Sequence, residues 1–260
     1  MTVRQHADNL FSSDMYNVET WMHVINRSDR ENKLEDQRYV LNQFLSVFPT
    51  AARQWKYYIE VEMMHQNYAE ATELFKSCLC AHTYDVQLYH LYIALCHKIN
   101  AHQPKDFRLK SLNAAFCFVV KSVGQDIGST SLWRKYLQFL KSNSGALSSK
   151  HGIKDITLEI RGVYHRVIRQ PIEDCDKLWD EYIQWEKSLN AQLAEAYHEK
   201  FKHVHEATKQ CYLERKRWRR GILVNIHTVP SDKQHAQERN YQQIQLWKRY
   251  AARSLNQFAP

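Results

Sequence analysis

Three groups of residues have side chains that could do chemistry. Cys78-x-Cys80-x-His82, with Cys96-His97 further on, offers thiolate and imidazole ligands. The spacing fits no common zinc pattern, and Cys78 falls on an apolar helical stripe, so no metal site is expected. Glu62 and Glu186 each stand seven residues after a tryptophan. Acid–base work needs a second titratable group beside the first, and the pattern places none. An unpaired buried carboxylate is costly, so each glutamate is expected to take hydrogen bonds from a neighbouring helix or an arginine. The third group is Lys200 to Arg220, with eight Lys/Arg against two Glu. It ends in Arg215, Lys216, Arg217, Arg219 and Arg220, with Trp218 among them. Such a run is a solvated helix face, or a contact for RNA phosphates or an acidic protein segment; a nuclear-import signal could use the same residues. His203 and His205 read as surface residues. The sequence supports no glycine-rich phosphate loop and no Ser–His–Asp or Cys–His arrangement. Catalytic, cofactor-binding and metal residues are therefore expected to be none, with no small-molecule substrate.

The elements that must position these residues repeat. In the first half of Phe48 to Leu79, Trp55, Tyr58, Ile59 and Glu62 fall at i, i+3, i+4 and i+7, one face of a helix. Tyr68, Ala71, Leu74, Phe75, Cys78 and Leu79 do the same after a break at His65-Gln66-Asn67. The two read as an antiparallel hairpin, with small Ala71 where the helices approach. Trp55/Tyr58 returns as Tyr89/Tyr92, Trp133/Tyr136, Trp179/Tyr182 and Trp247/Tyr250, with Trp21/Val24 a weaker copy upstream. The steps are 34, 34, 44, 46 and 68 residues. A period of 34 lengthened by insertions marks a helical-repeat solenoid, because one hairpin cannot bury both its faces. The tryptophans are expected to pack in the core at repeat junctions.

Composition agrees. Among 260 residues there are six glycines and five prolines, against seven Trp and fifteen Tyr. Six cysteines without a CxxC pair suggest a reducing compartment, and five of them read as small buried hydrophobes. No apolar segment resembles a signal peptide or a membrane span, so the expected protein is soluble and intracellular. The formal charge of +8 permits an acidic partner.

Along the chain, residues 1 to 15 read as a polar lead-in and Ser28 to Glu35 as a charged connection. Surface loops are expected at Ile99 to Asp106 and Ser142 to Gly152. Ala114, Ala115 and Phe118 should face inward from the helix between those loops, with Gly124 ending it in a left-handed cap. Gly162, inside a helix, implies close packing against a neighbour. The fifth repeat has a second helix from about Asn190 to Arg220, which Gly221 can cap. The expected domains are 1–224, about five repeats; 225–240, a connector; and 241–260, the first helix of a following, truncated repeat.

Tetratricopeptide repeats carry Leu-Gly after the Trp, and this chain does not. Trp-x-x-Tyr-x-x-x-Glu instead resembles the half-a-TPR (HAT) repeat. The stretches FPTAARQWKYYIEVE, NYAEATELFKSCL, VGQDIGSTSLWRKYLQFL, ITLEIRGVYHRVIRQP and LWDEYIQWEKSLN are similar, in that order, to the N-terminal half of the suppressor-of-forked family, the HAT subunit of cleavage stimulation factor. The likeness covers about residues 16 to 256. Tyr89 departs from the pattern, as do Ser28, Cys96, Leu140 and Ser254, which stand where an acidic residue belongs. The resemblance implies an all-α, right-handed superhelical HAT solenoid and a non-enzymatic nuclear scaffold in pre-mRNA 3′-end cleavage and polyadenylation. Its implied partners are other 3′-end-processing factors, with a homodimer only through C-terminal repeats outside this sequence; a weak RNA contact is expected from the basic stretch alone, and no membrane. Two alternatives remain at this point: a HAT scaffold of splicing or ribosome assembly, and the helical-repeat subunit of a protein prenyltransferase. In the latter, Tyr precedes Trp.

Overall fold

The fold follows from the aromatic periodicity. A computed structural model describes residues 1–81, 85–145, 153–223 and 234–257. Among them are twelve helices and no strand: α1 (Val3–Ser13), α2 (Val18–Glu31), α3 (Leu34–Val47), α4 (Ala52–Met64), α5 (Tyr68–Cys80), α6 (Val86–Ile99), α7 (Lys105–Val123), α8 (Thr130–Ser142), α9 (Ile153–Val167), α10 (Cys175–Leu189), α11 (Ala191–Trp218) and α12 (Gln234–Gln257). None is long and apolar enough to cross a membrane. Two compact units are present: Met1–Leu91 with Gly221–Pro260, and Tyr92–Arg220. Most of the connector expected at 225–240, residue His82, and 146–152 of the loop expected at Ser142 to Gly152 lie outside the described residues.

In the first unit α1 packs on both α2 and α3. The expected polar lead-in is therefore a helix. Thr2 and Gln5 form a reciprocal capping box, and Val3, Ala7 and Leu10 are buried. The expected connection at Ser28 to Glu35 is also largely helical. Ser28 is buried and its hydroxyl donates to the Ile25 carbonyl (2.7 Å), which satisfies the group without leaving the helix. Asn32, at φ 49°, makes the turn into α3. Between α4 and α5 the break is made by Gln66 at φ 61°, and Ala71 is wholly buried.

The second unit has a core that runs from Phe116 on α7 through Trp133 and Tyr136 on α8 to Tyr164 on α9 and Trp179 and Tyr182 on α10. Three expectations fail here. The inner face of α7 carries Leu112, Ala115, Phe116, Val119 and Val120; Ala114 and Phe118 are exposed. Within an apolar run, hydrophobicity alone did not fix the phase. Gly124 is not left-handed but ends α7 at φ −64°. A Cβ there would lie 2.8 Å from the Trp133 ring, so the glycine serves a close approach. Gly162 has no atom within 4 Å of where a Cβ would stand, so it packs against no neighbour. Gly221, at φ +84°, does supply the left-handed turn after α11.

Candidate functional site: the helix clamps and the basic helix end

The repeat residues meet in a recurrent arrangement. Trp55 donates its indole N–H to the Pro49 carbonyl (2.7 Å), and Trp21 to that of Met15 (2.8 Å). Trp133 does the same to Gly124 (2.9 Å). Each ring thus ties the start of its own helix to the turn before it, which a phenylalanine could not do. Trp179 lies flat against His205, with ring centroids 5.0 Å apart. Tyr89, in the tryptophan position of the third copy, is buried edge-on to Phe75.

Three residues after the tryptophan, the tyrosine hydroxyl reaches the preceding helix. Tyr58 pairs with Asn42. Tyr136 donates to Asn113 Oδ1 (3.0 Å). Tyr182 lies 2.9 Å from His165 Nε2. Four residues further on, the acidic position does likewise. Arg38 Nε and Nη2 donate to the two Glu62 oxygens at 2.7 and 2.8 Å. Arg161 holds Glu186 in the same fork at 2.6 and 2.9 Å. Both carboxylates are almost fully buried. Burial works to raise the Glu62 pKa, but hydrogen bonds from Arg38 and Asn67 outweigh it and hold the group below the usual carboxylate range. The Arg161 guanidinium is held above its usual value by its bond to Glu186.

The arginines and their i+4 companions, Arg38 with Asn42 and Arg161 with His165, were not singled out from the sequence. A signal existed: Arg-x-x-x-Asn/His lies on one helix face and matches Tyr-x-x-x-Glu on the next. In the fourth copy the polar pair is absent from both sides, since Leu109 and Leu140 stand at those positions and both are buried.

The remaining signature residues lie outside this arrangement. Tyr92 packs edge-on against Phe118, and burial pushes its hydroxyl pKa up to about 12. Trp247 is 38% exposed and touches Tyr250 edge-on, so it does not share the burial expected of the tryptophans.

Helix α11 resolves the basic stretch into two populations. Arg215, expected at the surface, is buried and donates to the Gln125 and Pro171 carbonyls, both at 3.1 Å. It ties α11 to the turns after α7 and α9 and is withdrawn from solvent. Lys209 pairs with Asp176 (2.9 Å), whose carboxylate that bond holds below its usual range. His205, expected at the surface, is buried between Trp179 and Asp176. Lys216, Arg217 and Arg220 are exposed and Arg219 is half-buried. Among the described residues no carboxylate pairs with any of these four.

Of the cysteines, only Cys78 and Cys175 are buried; Cys80 and Cys117 are exposed, and all six are free thiols. Glu195, His198 and Glu199 on α11 place one ligand atom each within 4.8 Å of one another, but His198 is packed against the Trp179 ring. A groove of ≈520 Å³ is lined by Lys141 on α8, Ile156, Thr157 and Ile160 on α9, and Trp185 and Leu189 on α10. Burial pushes the Lys141 pKa down, opposed by Glu181.

Successive helices joined by indole-to-turn bonds, tyrosine bridges and arginine–glutamate forks define an all-α helical-repeat protein whose titratable core groups are spent on holding helices together. The chain belongs to the Suppressor of forked protein (Suf) family, which matches residues 2–253. It is 27% identical to Protein suppressor of forked of Drosophila melanogaster over 90% of this chain and 30% of that protein. Against Cleavage stimulation factor subunit 77 of Arabidopsis thaliana the identity is 31%, over 74% of this chain and 26% of the relative. Against mRNA 3'-end-processing protein RNA14 of Gibberella zeae it is 25%, over 90% and 24%. The chain thus spans 24–30% of the length of these relatives.

Proposed function

We propose that this chain is part of a non-enzymatic scaffold that works in the nucleus in pre-mRNA 3′-end cleavage and polyadenylation, presenting its paired helices to other processing factors. The observation that carries the reading is family membership over nearly the whole chain, together with relatives named for mRNA 3′-end processing and for cleavage stimulation. The geometry supports the non-enzymatic part. Glu62 and Glu186 are locked by arginines, His165 by Tyr182 and His205 by Asp176, so these groups hold helices rather than wait on a substrate. Affinity purification of the tagged 260-residue chain from nuclear extract tests the proposal. Cleavage and polyadenylation factors should be enriched over splicing and ribosome-assembly factors. Enrichment of the latter instead would overturn it.

A further inference from the structure

Of the four cations at the end of α11, Lys216 lies over the Tyr212 ring (5.7 Å to the centroid) and none is paired with a carboxylate among the described residues. At 100° per residue, measured from buried Arg215, Arg219 at the C-cap, then Lys216, then Arg217 fall over an arc of about 160°, and Arg220 follows in the turn past the end of the helix. Arg215 itself faces inward to its two carbonyls. The charge therefore spreads over nearly half the circumference of the helix end, from half-buried Arg219 on the flank beside Arg215 round to exposed Arg217 on the opposite side. Glu214 alone lies beyond the strip as a nearby acid on the same turn. Further back on the outer side, Lys202 is exposed as well. The negative end of the helix dipole favours cations in this last turn, so a dense cluster is tolerated there without counter-ions.

We infer that this strip of Lys216, Arg217, Arg219 and Arg220 is a binding surface for the phosphate backbone of single-stranded RNA. The inference rests on the proposed role in mRNA 3′-end processing, which puts such a polyanion within reach. Three of the four are arginines, whose planar forks match phosphate oxygens in pairs. Lys216 lies in the last turn of α11 and Arg220 in the turn that follows it, so they can grip separate phosphates of one strand. Protein interfaces centre on desolvated apolar anchors and are depleted of charge at their core. Among the described residues of the strip, Leu213 is the one large exposed apolar side chain, and half-buried Tyr212 lies under Lys216. An acidic protein segment would find the charge but little to bury. Contacts of this kind carry no base-edge readout, so the surface should hold RNA without regard to sequence.

The test is fluorescence anisotropy of the full 260-residue chain with a labelled 20-nucleotide oligouridylate, titrated from 50 to 200 mM salt. One variant carries Lys216→Gln, Arg217→Gln, Arg219→Gln and Arg220→Gln. A control carries Arg30→Gln, Lys98→Gln, Lys110→Gln and Lys121→Gln, exposed cations elsewhere, and loses the same net charge. Affinity should fall at least tenfold in the first and less than threefold in the second. The slope of log K against log salt should flatten by about 3 in the first, since each of four lost phosphate contacts on a single strand removes about 0.7. The two pairwise variants, K216Q/R220Q and R217Q/R219Q, should each show part of the loss, with melting temperatures unchanged. Equal losses in both quadruple variants, or a wild-type chain that does not bind, would sink the proposal. So would preference for an acidic 20-residue peptide over RNA, which would make the strip a protein-docking surface. None of these results touches the co-purification readout, so the scaffold reading stands or falls separately.

Discussion

Arg161 grips Glu186 through two hydrogen bonds, from Nε at 2.6 Å and Nη2 at 2.9 Å, with the carboxylate fully buried. The same fork joins Arg38 to Glu62 in the other unit. In both cases the arginine sits on one helix and the glutamate on the next, so the pair fixes register as well as distance. Between α7 and α8, Leu109 and Leu140 occupy the corresponding positions. In these three helix pairs the position is filled either by an ion pair or by two leucines, and both partners change together.

That pairing yields a prediction. Removing one partner of a buried ion pair strands the other, at about 3–5 kcal/mol, whereas replacing both with apolar groups is often neutral. Arg161→Leu should destabilise the chain by about 3 kcal/mol or more in urea unfolding. Adding Glu186→Leu should restore stability to within about 1 kcal/mol of the parent. A double mutant no better than the worse single mutant would mean that the fork does not act as a unit.

The two unexpected glycines should respond in opposite directions. At Gly124 an added methyl meets the edge of Trp133, which is itself buried and tied to the Gly124 carbonyl. Gly124→Ala should cost about 1–3 kcal/mol. At Gly162 a methyl meets nothing, and the residue lies inside α9. Gly162→Ala should stabilise the chain by about 0.5–1 kcal/mol. Melting temperatures of the two variants, compared with the parent, settle both signs.

The elements legible in the sequence were those written in large aromatics at a fixed spacing. Trp21, Trp55, Trp133 and Trp179 each mark the first helix of a pair, and all four are buried. What escaped was written in residues with more than one reading. Thr2 and Gln5 cap α1, but a short polar segment gives the pattern too few apolar positions to stand out. Arg215 looks like its neighbours along the chain. Only the fold brings the Gln125 and Pro171 carbonyls to it, from 90 and 44 residues away. His205 was misjudged for the same reason, since its partners Asp176 and Trp179 lie on α10. Charge density is a local property; which charges are left over is a property of the fold.

The tryptophans should be separable by chemistry. Trp55→Phe keeps most of the packing but leaves the Pro49 carbonyl without its indole donor, and should cost about 1–2 kcal/mol. Trp55→Ala also opens a cavity and should cost about 3–5 kcal/mol, as should Trp179→Ala. Trp247→Ala should cost less than half as much, because the ring is already 38% exposed. Denaturant unfolding of the four variants checks the order, and a Trp247 variant as damaged as Trp55→Ala would contradict the exposure seen for α12.

Acid sensitivity should trace to His165. Its ring lies 4.4 Å from the Phe201 ring centroid, between Tyr182 and Tyr197. Burial, followed by the nearby Arg169, pushes its pKa from 6.5 down to about 4; Glu186 opposes the shift, and Arg161 and Lys200 reinforce it. Below pH 6.5 the unfolded chain takes up a proton at this position that the folded chain refuses until about pH 4. The stability due to keeping His165 neutral is therefore present in full above pH 6.5 and is lost as pH falls from 6.5 to 4. Glu62 adds a second loss, which begins as pH falls below the ordinary carboxylate value of 4.5 and runs on through its depressed folded pKa. His165→Gln can still bond Tyr182 and cannot titrate. It should flatten the fall in melting temperature between pH 6.5 and 4 while leaving the steeper loss at lower pH. An unchanged profile would show that the histidine is hydrated and titrates normally in the folded chain.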